Sequence, residues 1–567
     1  MKKQGVFAIS AAAIPGLLLG AAIASAQVIS SDGFPASIPK AHCGPGDHTE
    51  SGLQGETSLQ ERMSGDSETA YNCNLELIGE EPQDTYQGAY SQDGPAYYDV
   101  CAYYGTDRGF TTGQGIKVID ASDPRHPVVV TQLTDTGAAL APHETVSTSA
   151  RTRLLAAGQT TLGGNFAVYD ITDCRHPVLK GQVTASSPSF HHMGAFSPDG
   201  KTFYASQNDQ GPGGYLYIFD VSNPSNPVPL QPWQYLPSAA MGNGRPHSLT
   251  LNTSSFLPGV PEGTLAFVGQ NVQYPYATGG DGLVVEDVSD YQNRKSNPQI
   301  KIVSTLFSPL GGAESMIQVK IKGHPYLVTT DEAGAAGGRP DGWPGACAHG
   351  LSPFGFPQIV DIADPANPKV ISKLRLEVSD PANCSALLAE TPPDVPGTAP
   401  GTNLPANSGT TNYSEETCVP DNSEDTKMLA CSFQNAQLRV FDVSEPTQPK
   451  EIAYWKSGAV RAKILPASGS WAAGVDRTVD KIAHWVRWVV VNKGNGDDKA
   501  RQNGNGNGKG NGHGNGNGVG GGPGNSADIQ LWTVSDGHGF QVLQFPKNFT
   551  AQHKDLFANV VTTEQSQ

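Results

Sequence analysis

The sequence predicts an all-β fold, a seven-bladed β-propeller of four-stranded antiparallel blades, and three observations carry that prediction. First, one segment recurs six times. Ile116–Pro127, Phe166–Pro177, Leu216–Pro227, Leu283–Asp290, Gln358–Pro368 and Leu438–Pro449 each hold a β-rich run closed by Asp and a polar turn. A repeat fixes an architecture before any single residue is weighed. Second, two further strand-like runs precede most copies, which makes four strands per unit, the composition of a propeller blade. Third, charged residues are only 16% of a chain with 66 glycines and 43 prolines, a turn-rich β composition.

Residues 1–26 read as a signal peptide. Lys2 and Lys3 precede an apolar run from Val6 to Ile23, and Ala24-Ser25-Ala26 supplies small residues for cleavage. The mature chain is therefore expected to be secreted or extracytoplasmic, with no membrane span. Cleavage removes two lysines and takes the formal charge from -17 to -19. That argues against nucleic acid and anionic lipid as partners. Eight cysteines in an exported chain suggest four disulfides. Proximity along the chain or across repeats pairs Cys43 with Cys73, Cys101 with Cys174, Cys347 with Cys384 and Cys418 with Cys431.

Residues 27–74 form an N-terminal extension, and the propeller is expected over 75–545. Leu75–Gly79 resembles an outer strand without its own blade and could close the ring, a role for which Phe540–Phe545 competes. The strands are lettered A to D from the channel outward. The turn between C and D suits its residues, because Pro presets the backbone and the preceding Asp or Asn can bond back to it. Strands A and B are expected at His143–Ser149 and Arg153–Gly158, His192–Ser197 and Thr202–Ser206, and His247–Asn252 and Thr264–Gly269. They continue at Glu314–Val319 and Pro325–Thr330, then at Glu416–Val419 and Lys427–Ser432. The Asp closing strand C falls at 120, 170, 220, 287, 361 and 442, with intervals growing from 50 to 81 residues. Ile529–Asp536 is expected as a degenerate seventh strand C, with A and B at Val460–Leu465 and His484–Val491. Residues 494–525, rich in Gly and Asn, have little to bury and are expected to be a disordered insertion. Residues 546–567 form a C-terminal tail.

The repeated V-x-D-x-S-D-P-x-x-P core, with Asn297-Pro-Gln299, Asp331-Glu-Ala-Gly334, Pro353-Phe-Gly-Phe-Pro357 and Arg439-Val-Phe-Asp-Val443, resembles the LVIVD-repeat family of exported bacterial propellers. The resemblance spans about residues 75 to 545 and implies the fold. It implies no particular activity, because propellers host many unrelated ones.

The repeat also locates chemistry. His143, His192 and His247 start strand A in three consecutive blades, and Glu314 and Glu416 hold that register in the next two. Strand A is innermost, so these five should ring one channel mouth. Strand B is antiparallel to A and ends on the same face. Its ends supply Gln159, Asn208, Asp209, Gln270, Asn271, Asp331, Glu332, Gln434 and Asn435 as a second, ligand-binding ring. The long insertions leave from that face too, where function usually sits. Imidazoles converging with carboxylates suit a transition metal such as Zn, Cu or Fe, and an open position would permit catalysis. The competing reading is a self-satisfied polar channel.

Other residues are read plainly. His126 and His176 sit in the hairpin turns, His191 points away from His192, and His349 is a loop residue. Trp485 and Trp488 most simply pack against adjacent blades, and the alternative is that the pair stacks a carbohydrate. Metal and redox Cys-x-x-Cys pairs, a Gly-x-Ser-x-Gly elbow, His-Glu-x-x-His, a P-loop and an EF-hand loop are all absent from the sequence. Two function classes follow: a metal-dependent enzyme with Glu314 or Glu416 as ligand or general base, and a non-catalytic extracellular binding or scaffold module. The partner is a small polar ligand or an extracellular macromolecule.

Overall fold

The computed structural model describes residues 30, 32–82, 96–105, 115–140, 142, 146–159, 164–184, 193–206, 216–230, 245–271, 281–308, 313–332, 334–336, 342–389, 413–459, 481–482, 485–491, 527–535 and 537–563. The expected signal segment 1–26, the tract 494–525, and the proposed strand Val460–Leu465 lie outside these.

Seven antiparallel sheets form the blades of a β-propeller. Blades 1 to 3 have inner strands Ala96–Tyr98, Ser147–Ser149 and Gly194–Phe196, and closing-Asp strands C at Ile116–Asp120, Asn165–Asp170 and Leu216–Asp220. Blade 4 runs Arg245–Leu251, Leu265–Asn271, Asp281–Asp287 and Lys301–Ser308. Blade 5 runs Ala313–Ile321, His324–Asp331, Gln358–Asp361 and Lys369–Lys373. Blade 6 runs Thr417–Pro420, Met428–Phe433, Gln437–Asp442 and Lys450–Lys456, with Tyr71–Cys73 added as a fifth, outermost strand.

Blade 7 corrects the expectation. Its strands from the channel outward are Arg487–Val491, Asp528–Ser535, Gly539–Gln544 and Glu76–Glu81. Arg487–Val491 is therefore strand A rather than B, and Ile529–Ser535 is B rather than C. The two candidates for closure do not compete. Gly539–Gln544 is strand C, and Glu76–Glu81 pairs with it as strand D. The reason is topological: an N-terminal strand that closes the ring leaves the C-terminal end only three strands to supply.

The turn chemistry follows from the motif. In all six copies the closing Asp accepts a hydrogen bond from the backbone N–H two residues on, at 2.9–3.0 Å, from Ser122, Thr172, Ser222, Ser289, Ala363 and Ser444. This side-chain cap holds the turn that Pro presets. Two closing aspartates also bind a neighbouring blade. Arg175 reaches Asp120 at 2.5 Å and Arg294 reaches Asp220 at 2.8 Å. His126 and His176 are exposed turn residues, each bonded to the Asp three before it.

Packing lies between blades. Leu154, Phe166 and Val168 of blade 2 interleave with Phe196, Phe203 and Phe219 of blade 3, and Phe166 stacks on Phe219 at 4.5 Å. Trp488 of blade 7 is buried, stacks on Phe545, and donates its indole N–H to the Val419 carbonyl of blade 6. All four expected disulfides are present: Cys43–Cys73, Cys101–Cys174, Cys347–Cys384 and Cys418–Cys431. No helix among the described residues is long and apolar enough to cross a membrane.

Candidate functional site

The innermost strands of blades 4 and 5 both break register where the site begins. In blade 4 the pairing shifts between Pro246 and Ser248, leaving His247 as the extra residue. In blade 5 it shifts between Ala313 and Met316, across Glu314 and Ser315. Such bulges re-aim side chains. Here they bring His247 and Glu314 together across the blade boundary: His247 Nδ1 lies 2.8 Å from Glu314 Oε2. The other ring nitrogen, Nε2, lies 3.5 Å from Glu332 Oε1, which comes from the loop end of strand B in blade 5. One ligand atom from each of the three lies within 4.8 Å of the others. His247 and Glu314 are buried, and Glu332 is 28% exposed.

A serine ladder fixes these positions. The Ser248 hydroxyl donates to the Glu314 carbonyl of the next blade, and that of Ser206 donates to the His247 carbonyl. Ser315 donates to the Glu416 carbonyl at 3.3 Å, and Ser147 to that of Gly194 at 2.7 Å. The inner strands of blades 4, 5 and 6 are thus each bonded to the preceding blade at the carbonyl of His247, Glu314 or Glu416. The local signal for two of these bonds is the Ser directly after His247 and Glu314; Thr417, after Glu416, pairs instead with Ser432 of its own blade.

A further acidic layer adjoins the trio. Asp331 precedes Glu332, and its N–H donates to Glu415 Oε2 at 3.3 Å. Burial raises the Glu415 carboxyl well above its ordinary range, and the neighbouring Glu416 and Asp331 charges push it the same way. Glu415 was missed in the sequence, where Glu416 alone held the register. The doublet Glu415-Glu416 was the available signal, since successive strand residues face opposite ways and one of two glutamates must face inward.

The other expected residues are placed as follows. Glu416 contributes to the acidic layer but is not one of the trio. Gln270 is buried, and neither of its carboxamide atoms has a hydrogen-bond partner among the described residues. Asp331 accepts from the Gly334 N–H at 2.8 Å and borders a cleft of about 220 Å³ between blades 4 and 5. Gln434 and Asn435 lie buried in a single 3-10 turn. Gln159 is bonded to Asn165 of its own blade at 2.5 Å. Asn271 ends strand B of blade 4. His143, His192, Asn208 and Asp209 lie outside the described residues. His349 is an exposed loop residue.

The chain is similar to known proteins in its repeat and its fold. Residues 211–230 match the LVIVD repeat model. No curated protein matches the chain. Solved structures match over most of its length. Sqt1 of Saccharomyces cerevisiae shares 10% identity at a TM-score of 0.43, covering 83% of this chain and 99% of that one. The periplasmic gluconolactonase PpgL of Pseudomonas aeruginosa shares 12% at 0.39, covering 84% and 100%. A hypothetical selenium-binding protein of Sulfolobus tokodaii shares 10% at 0.42, covering 82% and 95%. At such values the likeness carries no argument about chemistry.

Proposed function

We propose that this chain, whose repeat match and seven blades fit the LVIVD-repeat propellers, is an extracytoplasmic protein that holds a transition metal ion at one mouth of its channel and acts as a metal-dependent enzyme. The observation that carries the reading is the trio His247, Glu314 and Glu332, whose ligand atoms lie within 4.8 Å of one another. The donor set fits. Imidazole nitrogen with carboxylate oxygen suits Zn, Cu or Fe. Burial of Glu314 and Glu415 beside further carboxylates is costly unless positive charge balances it. Four disulfides are compatible with the extracytoplasmic setting.

When bound, the ion would polarise a substrate oxygen or make a water nucleophilic near neutral pH. The chain's own residues divide the remaining work. Glu314, fully buried, would be the anchoring ligand on the channel side of His247. Glu332 is 28% exposed at the loop face, so of the three it is the ligand that solvent and substrate reach. The serine ladder keeps blades 4, 5 and 6 in register, which holds such a constellation to the tolerance that catalysis demands.

The test is elemental analysis of full-length protein purified without a histidine tag, repeated after loading with Zn, Cu or Fe. About one ion per chain is expected, and chelation should lower the melting temperature, because an ion that binds only the native state stabilises it by mass action. His247→Ala and Glu332→Gln should each lose the ion. The second variant alters a partly exposed residue and keeps the fold intact. If neither loaded wild type nor purified wild type carries metal, the alternative of a non-catalytic binding or scaffold module takes over. One observation favours it: His247 Nδ1 and Glu314 Oε2 already face each other at 2.8 Å across the blade boundary.

A further inference from the structure

We propose that the opposite end of the channel is a second binding site, for a neutral hydroxylated ring compound of sugar size bearing an apolar face. The proposal does not depend on the metal reading. The inner strands enclose a cavity of about 610 Å³ on the face where strands A end, within the range of small-molecule sites. Strand residues such as Tyr97, Thr148, Thr250 and Met316 form its inner wall.

The chemistry of the wall selects the ligand. Tyr97, Met316 and Trp485 line it and are almost fully buried. Between them stand two buried hydroxyls of opposite capacity. Thr148 Oγ1 gives its proton to the Tyr97 carbonyl at 3.0 Å, which leaves its lone pairs to accept. Thr250 Oγ1 accepts from Gln318 Nε2 at 2.9 Å, which leaves its proton to donate. A ligand hydroxyl can both give and take, and a ring's C–H face can lie on an aromatic wall. Arg487 does not make this an anion site. Its guanidinium donates to the carbonyls of Thr563 at 2.8 Å and Asp99 at 2.5 Å, and lies over the Tyr97 and Trp532 rings. At the rim, Glu424 is paired with Lys320 at 2.7 Å, and the exposed Arg151 and Glu262 bring one charge of each sign.

The chain's own end completes the cavity. Val561, Thr562 and Thr563 line one side of it. They are held by hydrogen bonds from Val561 N–H to the Asp421 carbonyl, Thr563 N–H to the Trp488 carbonyl, and Val490 N–H to the Thr562 hydroxyl, at 3.0–3.1 Å. Residues 561–563 thus shape the pocket across blades 6 and 7.

The test uses full-length protein and phenyl β-glucoside as probe, followed by calorimetry and ligand-observed NMR, with benzoate as the charged comparison. Saturable binding of the glucoside is expected, and benzoate should bind at least about tenfold more weakly, a difference of about 1.4 kcal/mol. Met316→Trp, which fills the cavity, and Thr250→Val, which removes the donor at constant shape, should each weaken the glucoside about tenfold or more. Metal content per chain should stay at the wild-type value in both, which separates this site from the other mouth. The isosteric Thr250→Val carries the test if Met316→Trp misfolds. Absence of saturable glucoside binding, tighter binding of benzoate, or an unchanged Kd in Thr250→Val overturns the proposal.

Discussion

Arg439→Ala is expected to cost about 3–5 kcal/mol, because it strips one partner from a buried ion network and leaves the others uncompensated. Arg439 on strand C of blade 6 is fully buried. It grips Glu50 with two nitrogens at 3.0 and 2.8 Å, reaches Glu451 at 3.0 Å, and donates through Nε to the Ala436 carbonyl. Lys456, also buried, lies 3.5 Å from Glu50 and donates to the Glu56 carbonyl at 2.7 Å. Two cations thus meet two carboxylates, and Glu50 belongs to the N-terminal extension. The network is the charged half of a junction whose other half is the strand Tyr71–Cys73 and its disulfide to Cys43. Burial alone would raise Glu50, but Arg439 and Lys456 override it and hold the carboxyl down to about 2, below its ordinary 4.5. A carboxylate depressed in the folded state contributes stability that is present above about pH 4.5 and is lost as pH falls toward 2. Denaturant melts should therefore show the Arg439→Ala deficit at pH 7 shrinking through that window, with faster proteolysis of the extension. A deficit below about 1 kcal/mol at pH 7, the worth of an exposed pair, would mean that water reaches the network.

The propeller was legible because its information is local and repeated. Each closing Asp caps its own turn, so the motif from Ile116 to Pro127 and its five relatives specify a hairpin within a dozen residues. Blade 7 was misphased for the converse reason. Ile529–Ser535 resembles the motif but lacks the Asp-Pro turn, and the strand that completes its sheet, Glu76–Glu81, lies more than four hundred residues away. Pairing at that range leaves no periodic trace. At the site, the shared register of strand A pointed to His247 and Glu314, and the end of strand B to Glu332. What the register could not show was contact. That depends on two bulges, which are mismatches between neighbouring strands and not properties of either strand alone. The same holds for the serine ladder, whose acceptors are backbone carbonyls of the next blade. The cavity at the other mouth left one faint trace, the tryptophan pair that includes Trp485, while the rest of its wall is made of ordinary strand residues such as Thr148, Thr250 and Met316.

Glu286→Met is expected to stabilise the protein by about 3 kcal/mol at pH 7, and this is the prediction most directly written in the repeat. The residue before the closing Asp is Ile119, Tyr169, Phe219, Val360 or Phe441 in five copies, and Glu286 in blade 4. Its strand register places it opposite Ala266 and Ile302, on the face packed with Val284, Val288, Ile218 and Leu249. It is fully buried, and neither carboxyl oxygen has a hydrogen-bond partner among the described residues. Burial pushes the carboxyl up from 4.5 to about 8. The sign is opposite to that of Glu50. Between about pH 4.5 and 8 the folded chain keeps a proton that the unfolded chain releases, so stability falls as pH rises through that window. Methionine has nearly the same shape and never ionises, so it removes the slope and fills the site with apolar atoms. Wild type and variant should differ least near pH 4, where both chains are neutral at this position, and the gap should widen to a plateau above pH 8. The residual gain at low pH reports the unpaired neutral carboxyl, about 1–3 kcal/mol. Thermal or denaturant melts at pH 4, 6 and 8 decide the matter. Parallel stability curves across that range, or a variant less stable than wild type at pH 8, would show that Glu286 has a partner that keeps it ionised, and that blade 4 departs from the repeat for a reason other than tolerance of a buried acid.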